Sequence, residues 1–276
     1  VKGQPLADQL VVAGLDDVER RPKAELFDRV LGAFGGISRR EPELVCWVPG
    51  RLEVFGTHTD YAGGRTLVAA LPRGFVFAAN RRNDSSIQVL DAVAAEPVTL
   101  DTGKPTIRST GWQHYVEVVA DRLTRNFPGA RLGANIAFGS DLPPAAGMSS
   151  SSALIVGIAS SLARLSGIIE REEWRVEVRD RLDEAGYYAC IENGRSFGAL
   201  TGHQGVGTHG GSEDHAAMLC STAGSLTGFA FIPMRKLDTL NVPGGWQFVI
   251  ASSGIAAEKT GAALKSYNRL AAAAAI

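Results

Sequence analysis

Four consecutive serines, Ser149, Ser150, Ser151 and Ser152, stand behind Pro143-Pro144-Ala145-Ala146-Gly147-Met148 and ahead of an apolar run of small residues. The first turn of a helix presents free N–H groups and a partial positive charge. Serine hydroxyls placed there can donate, accept or ligate magnesium. Gly147 lets the backbone approach a bulky anion, so the run reads as a phosphate cradle; one or two serines alone would read as a helix cap. A second group, His58, Asp60 and Tyr61, lies between glycines just after a predicted strand. Polar side chains on such a loop can point into a cleft, and Asp60 can accept from two adjacent ligand hydroxyls. The plainer alternative is an Asp-containing turn with His58 at the surface. Asp214 follows Gly210-Gly211 and precedes an apolar run, which sets its carboxylate at the edge of a core, as a general base or as a helix cap. Glu192 continues the apolar face of a predicted helix, where a carboxylate needs a cation: an ion pair or a magnesium ion would answer.

Three segments resemble the GHMP kinases, the small-molecule kinases named for galactose, homoserine, mevalonate and phosphomevalonate. PPAAGMSSSSA, residues 143–153, resembles their phosphate-binding loop, with Met148 where leucine is usual. GRLEVFGTHTDYAGG, residues 50–64, resembles the galactokinase sugar-binding motif at Arg51, Gly56, His58, Thr59, Asp60, Tyr61 and Gly64. Glu53 replaces an asparagine of that motif, and Thr57 replaces a glutamate that helps hold the sugar. Galacturonate or another hexose is therefore expected in preference to galactose. GTHGGSEDHAAML, residues 207–219, is similar to a further galactokinase segment through Gly207, Gly211 and Asp214, with His215 in place of glutamine. The resemblance implies that Asp214 is the base facing the sugar hydroxyl and that Arg51 stabilises charge near the γ-phosphate. It implies that Thr57, His58, Asp60 and Tyr61 hold the sugar, that Pro144 and Gly147 through Ser152 hold ATP, and that Ser151 and Glu192 ligate Mg2+. Glu192-Asn193 resembles a Glu-Asn pair of the family, although the stretch from there to Asp214 is longer than usual. SYNRL, residues 266–270, resembles the family's Tyr-Asn-x-Arg; its third, Gly-rich motif is missing, which fits a truncated chain.

Other readings fall away. No GxxxxGK[ST] loop is present, and GVGTHG at residues 205–210 has no convincing strand before it and no acid about 20 residues on, as a dinucleotide fold would need. Histidines 203, 209 and 215 repeat every six residues, a spacing that does not share one helix face. Gly147-x-Ser149-x-Ser151 lacks the closing glycine of a hydrolase elbow. With 276 residues, a net charge of −1 and 45% hydrophobic content, the chain can bury a substantial core. It shows neither a membrane-length apolar run nor a basic tract for nucleic acid, so the expected partners are a small sugar and ATP. Cys46, Cys190 and Cys220 lie far apart, as reduced thiols of a cytoplasmic protein do.

The elements that must position these residues follow from periodicity. A helix is predicted over residues 22–31, ended by Gly35-Gly36. Strands are predicted over 44–48 and 52–55 with a break at Pro49-Gly50-Arg51, then over 66–71, 75–80, 86–90 and 97–100. A helix over 112–127, the strand into the serine loop, a helix behind that loop and a long helix over 172–192 come next. Strands over 225–234 and 247–252 and a helix over 255–270 complete the chain. Strands first and helices after read as α+β rather than a βαβ repeat. The expected architecture has two lobes, residues 1–200 and the start of a second over 201–276. The resemblance implies a first lobe like ribosomal protein S5 domain 2 and a second that is ferredoxin-like. The expected activity is ATP-dependent phosphorylation of a monosaccharide at its anomeric hydroxyl; the alternative is a non-catalytic sugar- and ATP-binding regulator of the same fold.

Overall fold

Phe75, Phe77 and Ala79 face one core while Val76 and Ala78 face another. This alternation puts their strand at the centre of the molecule. The computed structural model describes residues 6–94, 96–102, 109–143, 147–246, 248–249, 265, 268–269 and 271–273. Its strands are β1 (Leu44–Phe55), β2 (Arg65–Arg81), β3 (Ser86–Asp91), β4 (Val98–Asp101), β5 (Ala134–Ser140), β6 (Ser225–Ala230) and β7 (Arg235–Asn241). All belong to one mixed sheet in the order β4-β3-β5-β2-β6-β7, with β1 along the other side of β2. Only β3 and β5 pair in parallel among them.

Helix α1 (Leu6–Val12) and helix α2 (Asp17–Ile37) cover one face, where Leu26, Phe27, Val30 and Phe34 meet Val76, Ala78 and Ala137. The other face carries α3 (Trp112–Asn126), α4 (Ser150–Leu165), α5 (Glu172–Glu177) and α6 (Arg181–Asn193), and α7 (Glu213–Cys220) packs on α6 and β1. The fold is α+β. Gly157 lets α4 lie against the sheet, because a Cβ there would collide with the Phe77 ring. Phe77 is fully buried, which is worth about 1.5–3 kcal/mol.

Several expected boundaries move. The expected break at Pro49-Gly50-Arg51 is only a register shift within β1, because β2 is long enough to pair on both sides of it. The two strands expected over 66–80 are likewise one. Helix α2 begins at the Asp16 cap, whose side chain accepts from the Glu19 N–H, and it runs through Gly35-Gly36. Burial of Phe34 outweighs the low helix propensity of glycine. The long helix over 172–192 is two, since Asp180 accepts from the Leu182 and Asp183 N–H groups and restarts the chain as α6. The strand expected over 225–234 ends at Ala230 as β6, and the chain turns back through β7, an unexpected strand that pairs with it. β6, from the residues after 200, is hydrogen-bonded to β2. The elements expected over 247–252 and 255–270 lie mostly outside the described residues.

Candidate active site

Three loops at one end of the sheet converge. β1 delivers Arg51 and Glu53, and Gly56 then takes a left-handed turn, with φ of 96°, beside the Arg65 carbonyl. The chain re-enters through a short 3-10 turn, Asp60–Ala62, in which the Tyr61 hydroxyl lies 3.2 Å from His58 Nδ1. β5 ends ahead of Asp141, whose carboxylate accepts from the Gly74 N–H at 2.6 Å and from Lys23 Nζ at 2.5 Å. Lys23 is fully buried, and burial holds its pKa below the ordinary value for lysine. The serine loop then leads into α4. Its N-cap residue, Ser149, adopts φ of 56° and makes no side-chain cap, so no side chain serves the free N–H groups of that helix end from this position. The Ser149 Oγ is itself buried without a hydrogen-bond partner. From the third loop, α7 starts against Asp60, whose Oδ2 accepts from the Glu213 N–H at 3.1 Å; Gly211 gives that carboxylate room, since a Cβ there would overlap it.

These pieces line one cleft. Asp214 Oδ1 accepts from Arg51 Nε at 2.6 Å, and its Oδ2 accepts from the Ser152 hydroxyl at 3.3 Å. Arg51 Nη1 in turn donates to the Gly147 carbonyl at 2.8 Å. One arginine thereby joins the sugar-motif strand, the serine loop and the α7 carboxylate. Burial pushes Asp60 above the usual carboxylate range, and burial pushes Glu213 up to about 9 against the pull of Arg51. Burial also acts to lower Arg51, but the Asp214 and Glu213 carboxylates outweigh it and hold the guanidinium above its ordinary value.

Of the residues expected to bind or react, Arg51, His58, Asp60, Tyr61, Ser151, Ser152, Glu192 and Asp214 all line this cleft. Thr57 does not: it is exposed on the turn after Gly56. Gly147, Met148, Ser149 and Ser150 form the approach to α4 without lining the cleft, and Met148 packs against the main core. Pro144 lies outside the described residues. Glu192 Oε2 is 3.1 Å from His215 Nε2, at an angle that leaves both without a hydrogen bond. Asp214 sits in the first turn of α7 rather than at its cap, which is Ser212. Sequence reasoning missed Glu213, Tyr115 and Thr208 as cleft residues. Glu213 left one signal, a second acid beside Asp214 at the start of an apolar run.

The described residues hold no group of three or more His, Cys, Asp or Glu side chains able to bind a metal, and no described helix is long and apolar enough to cross a membrane.

The galactokinase galactose-binding signature matches residues 33–81 and the GHMP kinases N terminal domain matches residues 114–185. Galactokinase from Actinobacillus pleuropneumoniae is 33% identical over 122 residues, 44% of this chain and 32% of that protein. Galactokinase from Clostridium acetobutylicum is 30% identical over 149 residues, 52% of this chain and 36% of its own length. The matched part thus spans about a third of these relatives. Among solved structures, Lactococcus lactis galactokinase complexed with galactose superposes with a TM-score of 0.62 at 18% identity, over 79% of this chain and 52% of that one.

Proposed function

This chain belongs to the GHMP kinase superfamily and is galactokinase-like, and on that premise we propose that it transfers the γ-phosphoryl group of ATP to the anomeric hydroxyl of a free monosaccharide. The observation that carries this reading is the Asp214 carboxylate in the cleft wall, hydrogen-bonded to Arg51 on one side and to Ser152 on the other. Asp214 takes the proton of the sugar hydroxyl as the bond to phosphorus forms and the bond to the leaving ADP oxygen breaks. Arg51, already shared with the serine loop, offsets charge on the transferred group. Phosphoryl transfer asks mainly for alignment and charge neutralisation, and the three converging loops supply both. Free N–H groups at the start of α4 and the Ser150 and Ser151 hydroxyls receive the phosphates.

Mg2+ fits the same wall. Glu192 offers a buried carboxylate oxygen without a hydrogen-bond partner, and Ser151 lines the same cleft. A hard ion that keeps most of its shell for phosphate and water needs no more than such a hydroxyl and carboxylate. When bound, it would neutralise phosphate charge.

Sugar hydroxyls are met by Asp60, with His58 and Tyr61 beside it. Since Thr57 stands off the cleft, its missing carboxylate no longer argues for a uronate. Among the described lining residues Arg51 is the one arginine or lysine, and it already pairs with Asp214. The wall therefore suits a neutral hexose. ADP release measured over a panel of free hexoses and uronic acids tests the proposal, with Asp214→Asn as the control. Turnover should favour a neutral sugar and fall by about two to four orders of magnitude in the folded variant, the usual worth of a general base. Sugar and ATP binding without ADP release in the wild type would instead support the regulatory alternative.

A further inference from the structure

Three carboxyl groups surround the Arg51 guanidinium, where the proposed chemistry asks for one. Asp214 Oδ1 lies 2.6 Å from Nε, Glu213 Oε1 lies 3.5 Å from the same atom, and Glu53 Oε2 lies 3.7 Å from Nη2. Glu53 stands two residues beyond Arg51 on β1, so both side chains leave the same face of the strand. Glu213 comes from the first turn of α7. Both glutamates are nearly closed to solvent, at 9% and 5% side-chain exposure. In each, the Oε1 atom is buried without a hydrogen-bond partner. An orphaned buried oxygen costs about 1–3 kcal/mol, a cost that an apolar side chain of similar size would avoid, so packing alone does not account for the pair.

Resting on the kinase reading above, we propose that Glu53 and Glu213 are positioning residues that hold the Arg51 guanidinium between Asp214 and the serine loop. A single guanidinium cannot neutralise three buried carboxylates, so one carboxyl keeps its proton. That one is Glu213, pushed up to about 9 by burial, with Asp214, Glu53 and Asp60 adding to the effect and Arg51 opposing it. The groups facing Glu213 are thus Arg51 and Glu53 from β1, Asp60 from the 3-10 turn and Asp214 from α7 itself; the Glu192–His215 pair of α6 and α7 lies nearby on the cleft wall. At neutral pH Glu213 stands beside Arg51 as a neutral carboxyl, and Nη1 stays on the Gly147 carbonyl. Ionisation of Glu213 adds a negative charge beside Asp214 and competes with phosphate for the guanidinium. Turnover should therefore decline as pH rises through about 9.

The test uses the full chain and the variants E213Q, E213A and E53Q. Steady-state kinetics from pH 6 to 10 are paired with 15N spectra of the arginine Nε–H groups, with Arg51 assigned by its loss in R51K. Expected are a fall in kcat of about tenfold or more in E213A and E53Q, with both KM values within about threefold of wild type. E213Q should keep near-normal kcat at pH 7 and lose the basic decline near pH 9. The Arg51 Nε–H should exchange slowly in wild type and E213Q and broaden away in E213A. Wild-type kcat in E213A and E53Q, or an unmoved basic limb in E213Q, would overturn the assignment. If E213A does not fold, the E213Q pH profile decides. If the wild type turns over no sugar, the kinase reading fails by itself, and the Arg51 signal still judges the positioning: persistence in E213A or, should E213A not fold, in E53Q sinks it and loss supports it.

Discussion

Asp60 is 7% exposed, and the Glu213 N–H at 3.1 Å claims one lone pair of its carboxylate, leaving others for a ligand. On the proposed kinase reading, Asp60→Ala leaves sugar hydroxyls unpaired at about 1–3 kcal/mol, so it should weaken hexose binding roughly 5- to 150-fold while ATP affinity holds. Calorimetric titration of each ligand reads this directly, and equal losses for both would count against a sugar role. A second residue-scale prediction concerns stability. Burial raises Glu213 from the unfolded value of 4.5 to about 9 in the fold, so the folded state keeps a proton that the unfolded chain gives up. The contribution is fully present below pH 4.5, falls as pH rises and is lost through about 9. Glutamine does not titrate. The Tm of Glu213→Gln relative to wild type should therefore climb steadily between pH 5 and pH 9, by about 2–4 °C for each kcal/mol. A gap that stays constant across that range would show that Glu213 carries its charge in the fold.

At the scale of elements, α4 rests on the sheet at one atom's clearance. Gly157→Ala gains about 1 kcal/mol of helix propensity, yet its Cβ would enter the Phe77 ring, and overpacking typically costs about 1–3 kcal/mol. Net destabilisation in denaturant titration is expected; a more stable variant would mean that α4 can lift without cost. The existence of α4 and of the cleft loops was legible in the sequence, because proline, glycine and serine punctuate the chain where it must turn. Element lengths were not. Pro49-Gly50 and Gly35-Gly36 carry local break signals, but the first pair is absorbed by long pairing with β2 and the second by burial of Phe34. Within the site, Asp60, Asp214 and Arg51 announced themselves through glycine neighbours and motif resemblance. Glu53 looked like a mere departure from a motif and Glu213 was not singled out; only the fold shows both closing on one arginine. Thr57 went the other way, since the turn after Gly56 carries it to the surface.

Across the whole molecule the cleft draws on one face of the sheet and its loops, and α2 on the opposite face contributes no lining residue. Yet α2 reaches it through Lys23, buried 5.0 Å from the Trp47 ring centroid and paired with Asp141 at the foot of the serine loop. Lys23→Met leaves the part-exposed Asp141 carboxylate without its cation and should cost about 1–3 kcal/mol, the usual penalty for stranding one partner of such a pair. KM for ATP should rise more than KM for the sugar; an unchanged KM for ATP in the folded variant would confine Lys23 to stability. Asp141 also accepts the Gly74 N–H, from the middle of β2. That amide is thus wired to the root of the serine loop. Its hydrogen-exchange rate becomes a built-in gauge of that loop, expected to slow on addition of ATP and to quicken when the lysine tether is cut.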